Sequence, residues 1–379
     1  MGCGFSSSSS GVFGDPTSPE FRTNLKSTET VIGAFTRLDE HILTLENLSP
    51  GSRLTTAEAW VEHLEKLQLT VDDTITDRQQ LDVISELDET ILEDEKDLLT
   101  EVDQERNDIM KLAIKLQVAN DVKKALEHEE FLGRISRGVM ELHSEKLRLD
   151  MIEHGRKRIE TLIESFNQLR ELYLEQDNLI ASISGGTYNS SLEQELDMEL
   201  ETAREIRDRL SGVAEQWRTS SNLLRAAAKA ALQAFEFWSL VEASDTASER
   251  VQLALDTRDA CQSSLTALSC AQQALPQVEI PFVTLRQSSA VKHALIYILT
   301  DMANEKRYSH TKTVMESFHT SATKAVEWIH ATYKKTLDGD LTAQIDNIKV
   351  LTFRLRKERI KHYKNIVGNK VYIRPQIKP

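Results

Sequence analysis

An all-α fold is what this 379-residue chain predicts: an elongated antiparallel helical bundle or coiled coil with long helices and a flexible N-terminal tail. Three observations carry that reading. After Pro50 the next proline is Pro276, so residues 51–275 lack the residue that most reliably interrupts a helix. Aromatic residues are scarce at 6%, Gly and Pro are few, and charged residues reach 28%, a composition suited to long helices. Apolar residues also recur at heptad spacing over several stretches.

Taken in order, MGCGFSSSSSG opens the chain with a segment that offers too little apolar surface to offset the entropy of ordering it. Residues 1–20 are therefore expected to be a tether. Residues 21–183 are expected to form a long-helix coiled-coil region, with a helix start at Thr55 and Glu58, which have capping-box spacing. A stop follows at SISGGTYNSS, where Gly185 or Gly186 can adopt the left-handed conformation and Ser190 with Glu193 can cap the next helix. Residues 184–275 read as a bundle segment, with Thr246 and Glu249 repeating the capping spacing. LLRAAAKAALQAFEFW places small residues where helices could approach closely. LPQVEIP is a connector. Residues 276–366 are expected to hold the C-terminal helices, one from about Val283 to Thr336, stopped at LDGD, and a last one over 341–366. A basic tail, 367–379, closes the chain.

Two heptad registers are legible. In the first, the a positions run Leu81, Asp88, Glu95, Val102, Ile109, Leu116, Lys123, and the d positions Ile84, Ile91, Leu98, Glu105, Leu112, Ala119, Leu126; ten of these fourteen are apolar, enough for an imperfect seam. In the second, Ile152, Ile159, Phe166, Tyr173 and Ile180 recur every seven residues, with Leu162 and Leu169 alongside. The change of register near Gly133, Gly138 and Gly155 predicts a stutter, kink or turn, and a chain that folds back rather than one rod.

Charge is uneven. The chain carries a formal −14, a poor composition for binding nucleic acid as a whole. Residues 72–108 hold fifteen acidic and three basic side chains, whereas residues 349–379 hold ten basic and one acidic. On the last helix, Leu341, Ile345, Ile348, Leu351 and Leu355 share about a third of the circumference. Lys349, Arg354, Arg356, Lys357, Lys361 and Lys364 lie on the remainder, and are expected to contact an anionic membrane surface.

Catalytic motifs are missing. The sequence has no phosphate-cradling glycine loop, nucleophile elbow or H-E-x-x-H, so no enzyme, cofactor or metal is expected. His310, His319 and His330 do not have the i, i+4 spacing of helix-borne metal ligands. Cys261 and Cys270, nine residues apart, are expected to be small core residues, and with Cys3 make three cysteines, too few for a disulfide scaffold. No apolar run approaches the roughly 20 residues needed to span a bilayer.

The N-terminus is more specific. Met1-Gly2-Cys3-Gly4-Phe5-Ser6 fits the myristoylation pattern M-G-x-x-x-[ST], with Gly2 the acceptor amine after removal of Met1. Cys3 offers a thiol for palmitate, and two acyl chains give stable attachment where one gives marginal attachment. This opening resembles that of dually acylated proteins on cytoplasmic membrane faces, among them many Src-family kinases and G-protein α subunits. The resemblance covers six residues and implies acylation of Gly2 and Cys3; kinase and GTPase motifs do not follow. The expectation is a peripheral, lipid-anchored helical scaffold, adaptor or tether on the cytoplasmic side of the plasma membrane or an endomembrane. It would bind protein partners, a second copy of the chain among the candidates, through helical seams, and no nucleic acid. A curvature-sensing lipid-binding dimer of BAR type would need an extended basic face, which the acidic 72–108 stretch opposes. A cytoskeletal or ciliary coiled-coil protein would need neither Gly2 nor Cys3.

Overall fold

The computed structural model describes the backbone of residues 13–14, 29–74, 95–368 and 370–372, with side chains described over 29–68, 101–368 and 370–372. Gly2, Cys3 and most of the acidic stretch, with the first heptad positions Leu81, Ile84, Asp88 and Ile91, lie outside the described residues. The all-α class holds: helices occupy nearly all of the described chain, beside two two-residue strands.

A short strand β1 (Phe13–Gly14) precedes α1 (Val31–Glu46), whose first turn is capped by Thr30 Oγ1 accepting from the Gly33 N–H at 3.1 Å. Next come α2 (Pro50–Thr74), α3 (Glu95–Lys115), the short α4 (Val122–Glu127) and α5 (Glu129–Ser184). Then follow α6 (Ser191–Val241), α7 (Ala247–Ala274), α8 (Leu285–Ile296), α9 (Ile298–Asp301) and α10 (Glu305–Tyr333). A π-helical segment (Lys334–Asp338), α11 (Gly339–Val367) and β2 (Val371–Tyr372) complete the chain.

Several local expectations hold for the reasons given. Gly185 and Gly186 take positive φ of 68° and 77°, ending α5, and Ser190 Oγ accepts from the Glu193 N–H at 3.1 Å to start α6. Thr246 caps α7 through the Glu249 N–H at 3.2 Å. LPQVEIP lies between α7 and α8.

Others need correction. The second helix starts at Pro50, not at Thr55: proline lacks the N–H that a first helical turn leaves unbonded anyway, and the Thr55 hydroxyl bonds the Gly51 carbonyl from inside the helix. The first seam does not run through as one helix. Gln117, at φ 57°, breaks it after α3, and Leu126 is exposed. No turn falls at Gly133, Gly138 or Gly155, which lie inside α5. Gly155 serves a close approach, since a Cβ there would lie 2.5 Å from Val61 Cγ2; at Gly133 it would lie 3.1 Å from Ile296 Cγ2. In the second seam Leu162 and Leu169 are buried while Phe166 is 38% exposed, lying over Gly51. The helix expected over 283–336 is three helices, because Asn304 accepts from the N–H groups of Lys306 and Arg307 and starts α10 afresh. LDGD is no stop: the π-helical segment carries the chain into α11.

The chain divides into two compact units. Unit 1 comprises Met1–Thr55, Ile159–Gly212 and Leu337–Pro379; unit 2 comprises Thr56–Arg158 and Val213–Thr336. In unit 2, α7 is buried around most of its circumference, with Val251, Ala254, Leu255, Cys261, Leu265 and Cys270 all enclosed. Ala227, Ala231 and Ala234 of α6 are buried small residues, and Ser264 Oγ donates to the Ala227 carbonyl at 2.8 Å, which ties α7 to α6 at short range. Trp238 stacks on Tyr308 with ring centroids 5.1 Å apart, each side chain donating to the other's backbone carbonyl. In unit 1, Val31, Phe35 and Leu38 of α1 pack with Leu179 and Ile183 of α5 and Tyr363 and Val367 of α11. A second cluster joins Leu196, Leu200 and Ala203 of α6 to Ile348, Leu351 and Leu355 of α11.

Candidate functional site

The two faces of α11 divide sharply. The apolar row expected there is the packed face: Ile348, Leu351 and Leu355 are buried, while Leu341 and Ile345 are half-buried at its start. Its flanks are fixed by charge. Arg359 bridges Glu193 Oε1 at 3.0 Å and Asp197 Oδ1 at 2.9 Å on α6. Arg356 reaches Asp39 and Glu40 of α1, the latter at 3.0 Å. This corrects the basic face: Arg356 is committed to two carboxylates within unit 1 and is not available to an outside surface.

The other five positions face outward. Lys349, Arg354, Lys357, Lys361 and Lys364 are all exposed. Lys349 pairs with Asp346 one turn earlier at 2.8 Å, and Lys361 lies 3.5 Å from Glu358. Between them stand two apolar side chains that reading the buried row alone had missed, Val350 at 57% exposure and Phe353 at 64%. At 100° per residue they lie roughly 140–160° from the centre of the packed row, so the helical wheel held the signal.

Beyond α11, Gly368 at φ 56° turns the chain into β2. There β1 pairs antiparallel, Phe13 opposite Tyr372 and Gly14 opposite Val371. The start of α1 joins the same junction: the Val31 N–H donates to the Lys370 carbonyl at 3.1 Å, and the Tyr372 N–H to the Glu29 carbonyl at 2.9 Å. The segment leading back to Gly2 and Cys3 is thereby tied to the end of α11. Ten residues lie between Gly2 and Phe13, a reach of at most about 40 Å when fully extended.

Two buried charge clusters escaped the sequence reading, because pairing between distant segments leaves no periodic trace. In unit 1, Glu46 is 1% exposed and lies 2.8 Å from Arg204 Nε and 3.9 Å from Arg207 Nη1. Burial pushes its carboxyl upward, opposed by the two guanidinium groups. In unit 2, Arg106 of α3 bridges Asp256 and Asp259 of α7, and Asp259 also holds the fully buried Arg258 at 2.8 Å. His143 Nε2 lies 2.9 Å from Ser263 Oγ. The same hydroxyl lies 2.8 Å from the Asp259 carbonyl, so Ser263 is shared between His143 and the backbone of its own helix.

Cys261 and Cys270 are buried, free thiols, and burial pushes both upward. His310 and His330 are exposed and His319 half-buried. Among the described residues no cluster of three or more His, Cys, Asp or Glu is placed to hold a metal ion, and no helix is long and apolar enough to cross a membrane. Comparison with protein-family models, curated proteins and solved structures finds no match.

Proposed function

We propose that this protein is a helical scaffold or tether held on the cytoplasmic face of a membrane by myristate on Gly2 and palmitate on Cys3, acting through protein–protein contacts. The chemistry begins in the sequence: Gly2 supplies an unhindered amine, Ser6 completes the acceptor pattern, and Cys3 offers the second acyl site. The observation that carries the reading furthest is the β1–β2 pair. It ties the segment bearing the motif to the end of α11, so an acyl anchor and the outward basic face would meet one surface from the same unit. The heptad spacing makes an elongated bundle or coiled-coil arrangement of the long helices part of this proposal, with partner helices docking along the seams.

Cell fractionation with a high-salt wash tests it. Gly2→Ala removes the first acyl chain and the membrane encounter that leads to the second, so the protein should shift to the cytosol. Cys3→Ser should leave a weaker, exchanging attachment. A Gly2→Ala protein as firmly bound as wild type after the wash would end the proposal.

A further inference from the structure

The outward face of α11 has a composition that a merely solvated helix does not need. Isolated exposed apolar residues are ordinary on protein surfaces. Here Val350 and Phe353 stand within one stripe, flanked by Lys349, Arg354, Lys357, Lys361 and Lys364, in a chain whose formal charge is −14. Among the described residues Arg354, Lys357 and Lys364 have no ion-pair partner, whereas Arg356 and Arg359 on the flanks are each held by two carboxylates. On the outward face Lys349 and Lys361 each meet one carboxylate of their own helix, Asp346 and Glu358, so the cations tied to other helices are the flank arginines. From Lys349 to Lys364 the stripe runs about 22 Å along the axis.

We infer that this face docks on an anionic lipid bilayer, with Phe353 and Val350 entering the interfacial region and the five cations meeting the headgroups. It deepens the membrane reading proposed above and rests on it, but needs no acyl chain. Charge complementarity selects the occupant. Clustered Lys and Arg near an anionic leaflet gain attraction that salt attenuates within a Debye length. Apolar side chains between them can enter the hydrocarbon margin of the bilayer, a gain that adds to the attraction of the headgroups. The packing of Ile348, Leu351 and Leu355 is undisturbed by this contact, so the helix need not leave its unit.

The test uses full-length Gly2→Ala protein sedimented with vesicles of phosphatidylcholine alone or mixed with phosphatidylserine. Binding should require phosphatidylserine and fall with salt. Changing the five cations to Gln should weaken it by at least about tenfold. Changing Val350 and Phe353 to Ser should weaken it by roughly tenfold at unchanged charge. All seven side chains are exposed, so helicity by circular dichroism should match the parent. Equal binding to both vesicles, indifference to either set of changes, or preference for poly-glutamate or RNA over vesicles would each overturn the inference. The Gly2→Ala protein carries no acyl chain, so failure here leaves the acylation reading standing, and an unmodified N-terminus in cells leaves this binding standing.

Discussion

Both units hold ion pairs, Arg106 with Asp256 and Asp259 being the example in unit 2, but they differ in how much apolar core surrounds them. Unit 2 encloses an extended apolar core around α7, with Trp238, Tyr308, Phe318 and Met315 among its members and a row of alanines where α6 comes near. Unit 1 has smaller apolar clusters, and at their margins charge sets the alignment: Glu46 with Arg204 and Arg207, Arg356 with Asp39 and Glu40, Arg359 with Glu193 and Asp197. Apolar packing fills space without strongly fixing register, whereas a guanidinium between two named carboxylates tolerates little slip. Unit 1 is assembled from three separate stretches of chain, and it is the unit that carries the basic outer face.

The largest effect that could break this comparison is at Glu46. Glu46→Ala takes from Arg204 and Arg207 the carboxylate they share, leaving Arg204 with Glu201 and Arg207 with Asp208, and should destabilise unit 1 by about 2–3 kcal/mol. Replacing Glu46, Arg204 and Arg207 together by Leu, Met and Met should recover most of that loss, because the buried charges leave with their desolvation penalty. Urea unfolding with hydrogen exchange over residues 31–46 reads both. A Glu46→Ala protein of unchanged stability would show that charge does not hold unit 1.

Overpacking tests unit 2. Ala231 and Ala234 are buried in the core of unit 2, so Ala231→Leu or Ala234→Leu should cost about 1–3 kcal/mol, read as an earlier unfolding midpoint. Neutral behaviour at both would mean that α6 and α7 do not approach as closely as the Ser264–Ala227 bond requires.

A smaller effect distinguishes the units by pH. Burial holds the His143 imidazole below its ordinary value, opposed by Asp259 and reinforced by Arg258 and Lys146. The unfolded chain binds that proton near the ordinary value of about 6.5, the folded chain only at lower pH. Between those two values the unfolded state holds more protons, so this group's contribution to stability falls as pH falls through the window. His143→Gln, which retains a hydrogen-bonding group for Ser263, should flatten the decline of unit 2 stability below pH about 6.5 and leave unit 1 unchanged. An identical slope in both proteins would contradict this.

The same contrast explains what was legible in the sequence. Local signals were readable because their physics is local: Gly185 and Gly186 end α5, and Ser190 and Thr246 cap the helices that follow. The apolar row of α11 was readable for the same reason. Heptad counting went astray where one residue decided the outcome, as at Gln117, or where a residue with seam spacing lay on the outer side, as Phe166 does. The glycines of α5 were misread because a close approach and a break call for the same residue type. Arg356 could not be told from Lys357 by spacing, since only the carboxylates of α1, more than three hundred residues earlier, separate their roles. Val350 and Phe353 are legible on the wheel, opposite the packed row.

The claim on which the functional account turns is acylation of the terminus that β1 ties to α11. Mass spectrometry of the N-terminal peptide from protein expressed in animal cells tests it most directly. The account predicts a peptide beginning at Gly2, with a myristoyl amide on its α-amine and a hydroxylamine-labile palmitoyl thioester on Cys3. A peptide with Met1 retained, or with a free Gly2 amine and a free Cys3 thiol, would contradict it.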